Sequence, residues 1–153
     1  METAALEQIR AENERKKEYL RSYRVHVRRI HRINAEIAEL RSMKLSPSMG
    51  AGDGMPHGTG QSDLSGYAAE LDEMVQTLID ERSRRIRSYK QIVRQIKKLR
   101  SENEKDVLFY RYITGLDWWE IAEKMSFSER WIYKIHGKAL AHFEIPKEFI
   151  EVQ

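Results

Sequence analysis

The chain has no cysteine in 153 residues, which excludes a disulfide framework and thiol-ligated zinc fingers. It also has no apolar run long enough for a membrane span, and no N-terminal stretch resembling a signal peptide. Proline is scarce. Two of the three prolines and five of the eight glycines fall in one stretch, Ser46 to Asp63, so helix breakers are nearly absent elsewhere. What remains is 41% hydrophobic and 33% charged residues, with a mean hydropathy of -0.69. That composition suits a soluble protein with much solvated charge on its surface, and a cytoplasmic address is the expectation.

Patterns for catalysis or metal binding are missing too. His26 and His31 stand five apart, about 140° around an ideal helix, and cannot share a metal as an i, i+4 pair would. His136 and His142 face apart as well. Gly50, Gly52 and Gly54 precede no Gly-Lys-Ser/Thr and follow no evident strand, so a phosphate loop is not expected. His57 alone cannot build a metal site, which needs three or four ligands. With no Ser/His/Asp order and no glycine-framed nucleophile, neither an enzyme, a cofactor nor a metal is expected.

Apolar residues recur at helical spacing on both sides of the Gly/Pro stretch. From residue 4 to 44, Leu6, Ile9, Leu20, Tyr23, Val27, Ile30 and Ile37 occupy seam positions, widened by Ile33 and Leu40 and interrupted by Asn13, Lys16 and Asn34. Arg21, Arg24, Arg28, Arg29 and Arg32 have no acidic residue among them. They form either a solvated face or a ridge for phosphates. A second long helix, capped by Ser62 or Asp63 and reaching about Leu99, carries the stripe Leu64, Ala68, Leu71, Val75, Leu78, Arg82, Ile86, Tyr89, Val93 and Ile96. Two such helices joined by a flexible loop fold back antiparallel, and stripes wider than one mutual interface favour a homo-oligomer.

The C-terminal third is punctuated differently. Ser101 and Glu104 make a capping box for a helix through Val107, Leu108, Tyr112 and Ile113 that Gly115 can end. Asp117 and Glu120 make another, starting a helix whose buried face is Trp118, Ile121, Ala122 and Met125. Ser126, Phe127 and Ser128 break the pattern, and Ser128 caps the next helix with Glu129 in its positive first turn. Two helices joined by so short a turn cross steeply. Trp131, Ile132 and Ile135 are expected to face the core, leaving Ser128, Glu129, Arg130, Tyr133, Lys134 and Lys138 outward as candidates for DNA contact. Pro146 limits this helix, and Phe149, Ile150 and Val152 are expected to pack back as a short tail.

The runs WEIAEKM and SFSERWIYKIHGKAL resemble the promoter-reading C-terminal domain of bacterial sigma factors and the sigma-like regulators of bacteriophages, including late-gene regulators of the ArpU and RinA type. The segment GMPHG, Gly54 to Gly58, with the long helix after it, is similar to some small phage proteins. The resemblance implies double-stranded promoter DNA as target and RNA polymerase as a candidate partner. Ser126 stands where such motifs most often have glycine, so the turn must be reached with a less permissive backbone. Gly137 lies inside the reading helix, and either ends it early or lets the backbone come close to something.

Charge is uneven along the chain: +4 over residues 1–45, −2 over 46–63, +4 over 64–100 and −3 over 101–153. The segment expected to read DNA is therefore the acidic one, and other parts must supply most of the sequence-independent affinity for phosphates. The expectation is an all-α protein: a long antiparallel helical hairpin over 1–100, with a flexible loop at 46–63, followed by a three-helix unit over 101–153 containing a sigma-like helix-turn-helix. Its function on this reading is sequence-specific transcription regulation. Two others fit the same elements. A DNA-packaging adaptor of small-terminase type would have the reverse domain order, and a coiled-coil interaction protein that binds no DNA would suit the acidic C-terminal unit.

Overall fold

The computed structural model describes residues 1–45 and 60–151. Among them are six α-helices and no strand: α1 (Glu2–Leu45), α2 (Gly60–Lys97), α3 (Glu102–Leu108), α4 (Trp118–Met125), α5 (Glu129–His142) and α6 (Lys147–Glu151). The all-α expectation holds, and none of these helices is long and apolar enough to cross a membrane. The connector with its GMPHG segment and His57, the side chains of Ser62, Asp63 and Ile150, and Val152 lie outside the described residues.

Contacts divide the chain into two compact units, one of residues 26–84 and one of residues 1–25 with 85–153. Both long helices contribute to both units. The physical reason is visible in the side chains that α1 buries near its N-terminal end, described below.

In the unit of residues 26–84, Ile30, Ile33 and Ile37 of α1 are buried with Leu78 of α2, and Leu71, Met74 and Val75 pack against them. These belong to the expected stripes. One turn beyond Leu78 the stripe departs from expectation, because Glu81 is buried and Arg82 exposed. Glu81 is stable there because it is surrounded by cations. His26 Nδ1 is hydrogen-bonded to it, Arg84 lies 3.3 Å away and Arg29 3.9 Å away. Burial pushes this carboxyl up, but the His26 hydrogen bond and the charges of His26 and Arg29 outweigh burial and hold it below the usual range.

In the other unit the buried face of α2 continues as Ile92 and Ile96, with Leu99 just beyond the helix, while Ile86 and Tyr89 are exposed. Between Leu78 and Ile96, which are buried as expected, the inward face thus runs through Glu81 and Ile92, each one residue before the expected Arg82 and Val93. On α1, Leu6 and Ile9 are exposed rather than buried, whereas Tyr19, Leu20 and Tyr23 are at most 5% exposed. Tyr23 meets Tyr89 at 6.0 Å between ring centroids, and its hydroxyl accepts from Arg85 at 3.1 Å.

Lys16 was a polar interruption in the sequence pattern, and here it is buried, donating from Nζ to the Leu140 carbonyl at 2.8 Å. Carbonyls at a helix C-terminus lack intrahelical partners and sit at its negative end, so an ammonium there satisfies both needs. One turn along α1, Tyr19 packs on Phe143 at 6.0 Å and edge-on to Phe149 at 4.8 Å. The expected return of the tail is therefore made by Phe149. Phe143→Ala should destabilise the full chain by about 3–5 kcal/mol in urea unfolding, as for other fully buried phenylalanines. A loss below about 1 kcal/mol would mean that α1 is not docked on the end of α5.

Candidate nucleic-acid interface

The helix leading into the site starts with half of the expected capping box. Ser101 Oγ accepts the Glu104 N–H at 3.3 Å, but the Glu104 carboxylate is buried and bound instead to His142 Nδ1 at 2.8 Å. That bond ties α3 to the last turn of α5. Beyond Leu108 the helix widens into a π-helical stretch, Phe109–Thr114, which the apolar spacing did not reveal. Tyr112 and Ile113 are consecutive and both buried there. Gly115 ends the stretch at φ 82, and the Arg24 guanidinium lies 2.7–2.9 Å from where a Cβ would stand. Gly115 is required by its left-handed backbone conformation, whereas the flexible end of Arg24 could move aside for a Cβ.

Asp117 precedes α4 with extended backbone, and its N–H donates to the Glu120 carboxylate at 3.3 Å. At the other end Ser126 adopts the left-handed conformation, φ 58 and ψ 41. The Phe127 N–H then reaches back to the Ala122 carbonyl at 3.0 Å. This is the bond pattern that normally employs glycine, made here by a serine at some cost in backbone strain. Phe127 packs into the core of Val107, Ile121, Ala122, Ile132 and Ile135, together with Trp118 and Met125. Ser128 Oγ accepts the Trp131 N–H at 3.1 Å and starts α5 as expected.

α5 buries Ile132, Ile135, His136, Ala139 and Leu140 on one side. Of the six expected residues, all exposed, Arg130, Tyr133, Lys134 and Lys138 share its outward side, while Ser128 and Glu129 stand at its start. Arg130 and Lys134 lie near the middle of the outward strip, within about 40° of each other, with Lys138 on one flank and Tyr133 on the other. Tyr133 also leans on Trp118 at 5.0 Å between centroids. Trp131 does not enter the core as expected. It is 44% exposed, at the edge of the outward strip, with the Lys134 ammonium 5.9 Å from its ring centroid. Trp119 on α4 is exposed as well, whereas Trp118 is half-buried under the Arg111 guanidinium at 4.4 Å. α5 continues through Gly137, and a Cβ there would meet nothing within 4 Å.

The inner side of α5 depends on a neutral histidine. Tyr112 Oη lies 2.7 Å from His136 Nε2. Burial, reinforced by the positive charges of Lys17, Arg111 and Arg21, lowers His136 to about 4, while burial raises Tyr112 to about 12. Both shifts assign the same roles: the phenol donates and the neutral imidazole accepts.

The charges acting on His136 also revise the electrostatics expected of this region. The compact unit around α5 includes residues 1–25 and 85–100, and holds 20 Lys and Arg against 15 Asp and Glu, a net +5. The acidic C-terminal segment is therefore compensated within its own unit. Sequence reading by linear segment missed this. The run from Arg85 to Arg100, seven cations without a carboxylate, was the available signal. The chain matches no protein-family model, no curated protein and no solved structure.

Stability should fall as pH drops from 6.5, the ordinary histidine value, towards about 4, because the unfolded chain takes up a proton that folded His136 refuses. The loss should reach about 2–3 kcal/mol and should be absent in His136→Gln. Glu81, held below the usual range, adds its own loss only below about 4.5, so unfolding measured between pH 6.5 and 4.5 isolates the histidine.

Proposed function

We propose that α4, the turn Ser126 to Ser128 and α5 form a sigma-like helix-turn-helix following an antiparallel hairpin of α1 and α2. On this reading the protein is a sequence-specific, DNA-binding transcription regulator of phage or prophage genes, acting in the bacterial cytoplasm. The observation that carries the reading is the division of α5 into a buried side and an outward strip of hydrogen-bonding side chains. Arg130, near the helix N-terminus, is the base reader, since its fork can bond guanine bidentately in the major groove. Lys134 and Lys138 hold phosphates, and Ser128, Glu129 and Tyr133 complete the contact surface. The exposed Trp119 is a surface for a protein such as RNA polymerase.

Self-association belongs to the same proposal. Ile79, Ile86 and Tyr89, between 39% and 54% exposed, recur at helical spacing on one side of α2 and support a homo-oligomer. Sedimentation of the full chain should give an oligomer at tens of micromolar, and Ile86→Asp should reduce it to monomer by placing an unpaired charge in the contact. A well-folded monomeric wild-type chain would remove this part of the proposal.

DNA fragments selected from a host genome and its prophages supply the specific site. Arg130→Ala should weaken binding there by about 1–3 kcal/mol and relax discrimination at one base pair. Lys138→Ala should weaken all sequences alike and lower the salt slope by about 1. If Arg130→Ala with Lys134→Ala leaves discrimination intact in a folded protein, α5 is not the reader.

A further inference from the structure

Of the seven cations between Arg85 and Arg100, only Arg85 is engaged, by Tyr23. Arg87, Lys90, Arg94, Lys97, Lys98 and Arg100 are exposed and make no ion pair or side-chain hydrogen bond among the described residues. Several basic residues elsewhere are offset locally, as in Lys16 with Glu12, Lys17 with Glu14, Arg32 with Glu36, Arg84 with Glu81, and Lys105 with Glu102. Here the chain does the opposite. Arg87, Lys90, Arg94 and Lys97 follow at steps of three and four, which places them within an arc of about 80°. Like charges at that spacing destabilise a helix; the negative end of α2 favours Arg94 and Lys97 in its last turn, but no carboxylate among the described residues pairs with the ridge.

We propose that this ridge, continued by Lys98 and Arg100, is a second nucleic-acid surface that holds backbone phosphates of duplex DNA beside the α5 reading strip. Three observations favour duplex backbone. The ridge extends about 15 Å, the rise of four to five phosphates along one strand. No aromatic side chain interrupts it, and single-stranded nucleic acid is generally held by stacking on aromatic rings. Lastly, Lys98, Leu99 and Arg100 line a groove of about 550 Å³ together with Ala141 and His142 of α5. Ala141 lies on the outward side of α5 three positions after Lys138, so the two basic surfaces adjoin. Glu104 and Glu144 also line the groove; Glu104 is already engaged by His142.

The inference rests on the DNA-binding reading, and its test separates the two. The full-length protein is titrated with a random-sequence duplex and with genomic fragments at several salt concentrations. The variant K90Q/R94Q/K97Q/K98Q keeps helix content by circular dichroism, because these side chains are exposed. It should bind the random duplex at least tenfold more weakly at moderate salt, with the salt slope smaller by about 3.6, since each of the four neutralised phosphates contributes about 0.9. K98Q/R100Q, which lies beyond α2, should lower the slope by about 2 and gives an independent measurement if the fourfold variant does not fold. An unchanged slope in both variants overturns the ridge. A reduced slope combined with unaltered discrimination by Arg130→Ala upholds the ridge and removes α5 as reader. Tighter binding of the wild type to a single-stranded RNA or to polyglutamate than to duplex at equal salt overturns the assignment to DNA.

Discussion

A single buried ammonium decides how the ends of this chain come together. Lys16 donates a hydrogen bond to the carbonyl of Leu140, where α5 has exhausted its own donors. An ammonium is costly to bury without acceptors, so the Leu140 carbonyl fixes the register of α1 against α5. Tyr19, Phe143 and Phe149 then close an aromatic contact around that point. The outward strip of α5 is presented to solvent because its inner side is committed in this way, to Lys16 at one end and to the Tyr112–His136 pair in the middle.

The elements that could be read directly from residues were those governed by local rules. Ser128 at the start of α5, Gly115 at the end of the π-helical stretch and Ser126 at the turn each act through their own backbone or the next few amides. The outward residues of α5 follow from helical periodicity and are exposed as expected. What failed depended on distant partners. Glu81 in an apolar stripe violates hydrophobic patterning, and only His26, Arg29 and Arg84 make it stable. Once Glu81 faces inward, Ile86 and Tyr89 must turn out, and a reading that maximised apolar residues placed both inside. Glu104 likewise satisfied the local rule for a capping box, yet its carboxylate is drawn to His142, 38 positions away. Trp131 was assigned to the core with Ile132 and Ile135, as turned away from Arg130 and Lys134, but its ring stands at the edge of the strip and is 44% exposed.

The distribution of charge changes in the same way between chain and structure. Residues 101–153 are acidic when counted alone, but they fold with the N-terminal part of α1 and the basic end of α2, so the unit is cationic. Lys17, Arg21 and Arg111 are close enough to help keep His136 neutral. Arg24 lies against Gly115 and reaches towards the Thr114 carbonyl. The cations that offset the acidic segment thus sit mainly on the neighbouring helices α1 and α2 and not on α5.

The bond between Lys16 and Leu140 spans 124 positions, and this governs the order of events at birth. On a ribosome the first turns of α1 emerge long before α5 exists, and their inward side chains have no partners until the end of the chain is made. Contacts so far apart close slowly, because the intervening chain must lose its freedom before the contact rewards it. The N-terminal part of α1 is therefore synthesised well before α5 and packed only after it. In the interval Tyr19 is exposed to chaperones and proteases, and a chain released short of Phe143 lacks the ring that covers it.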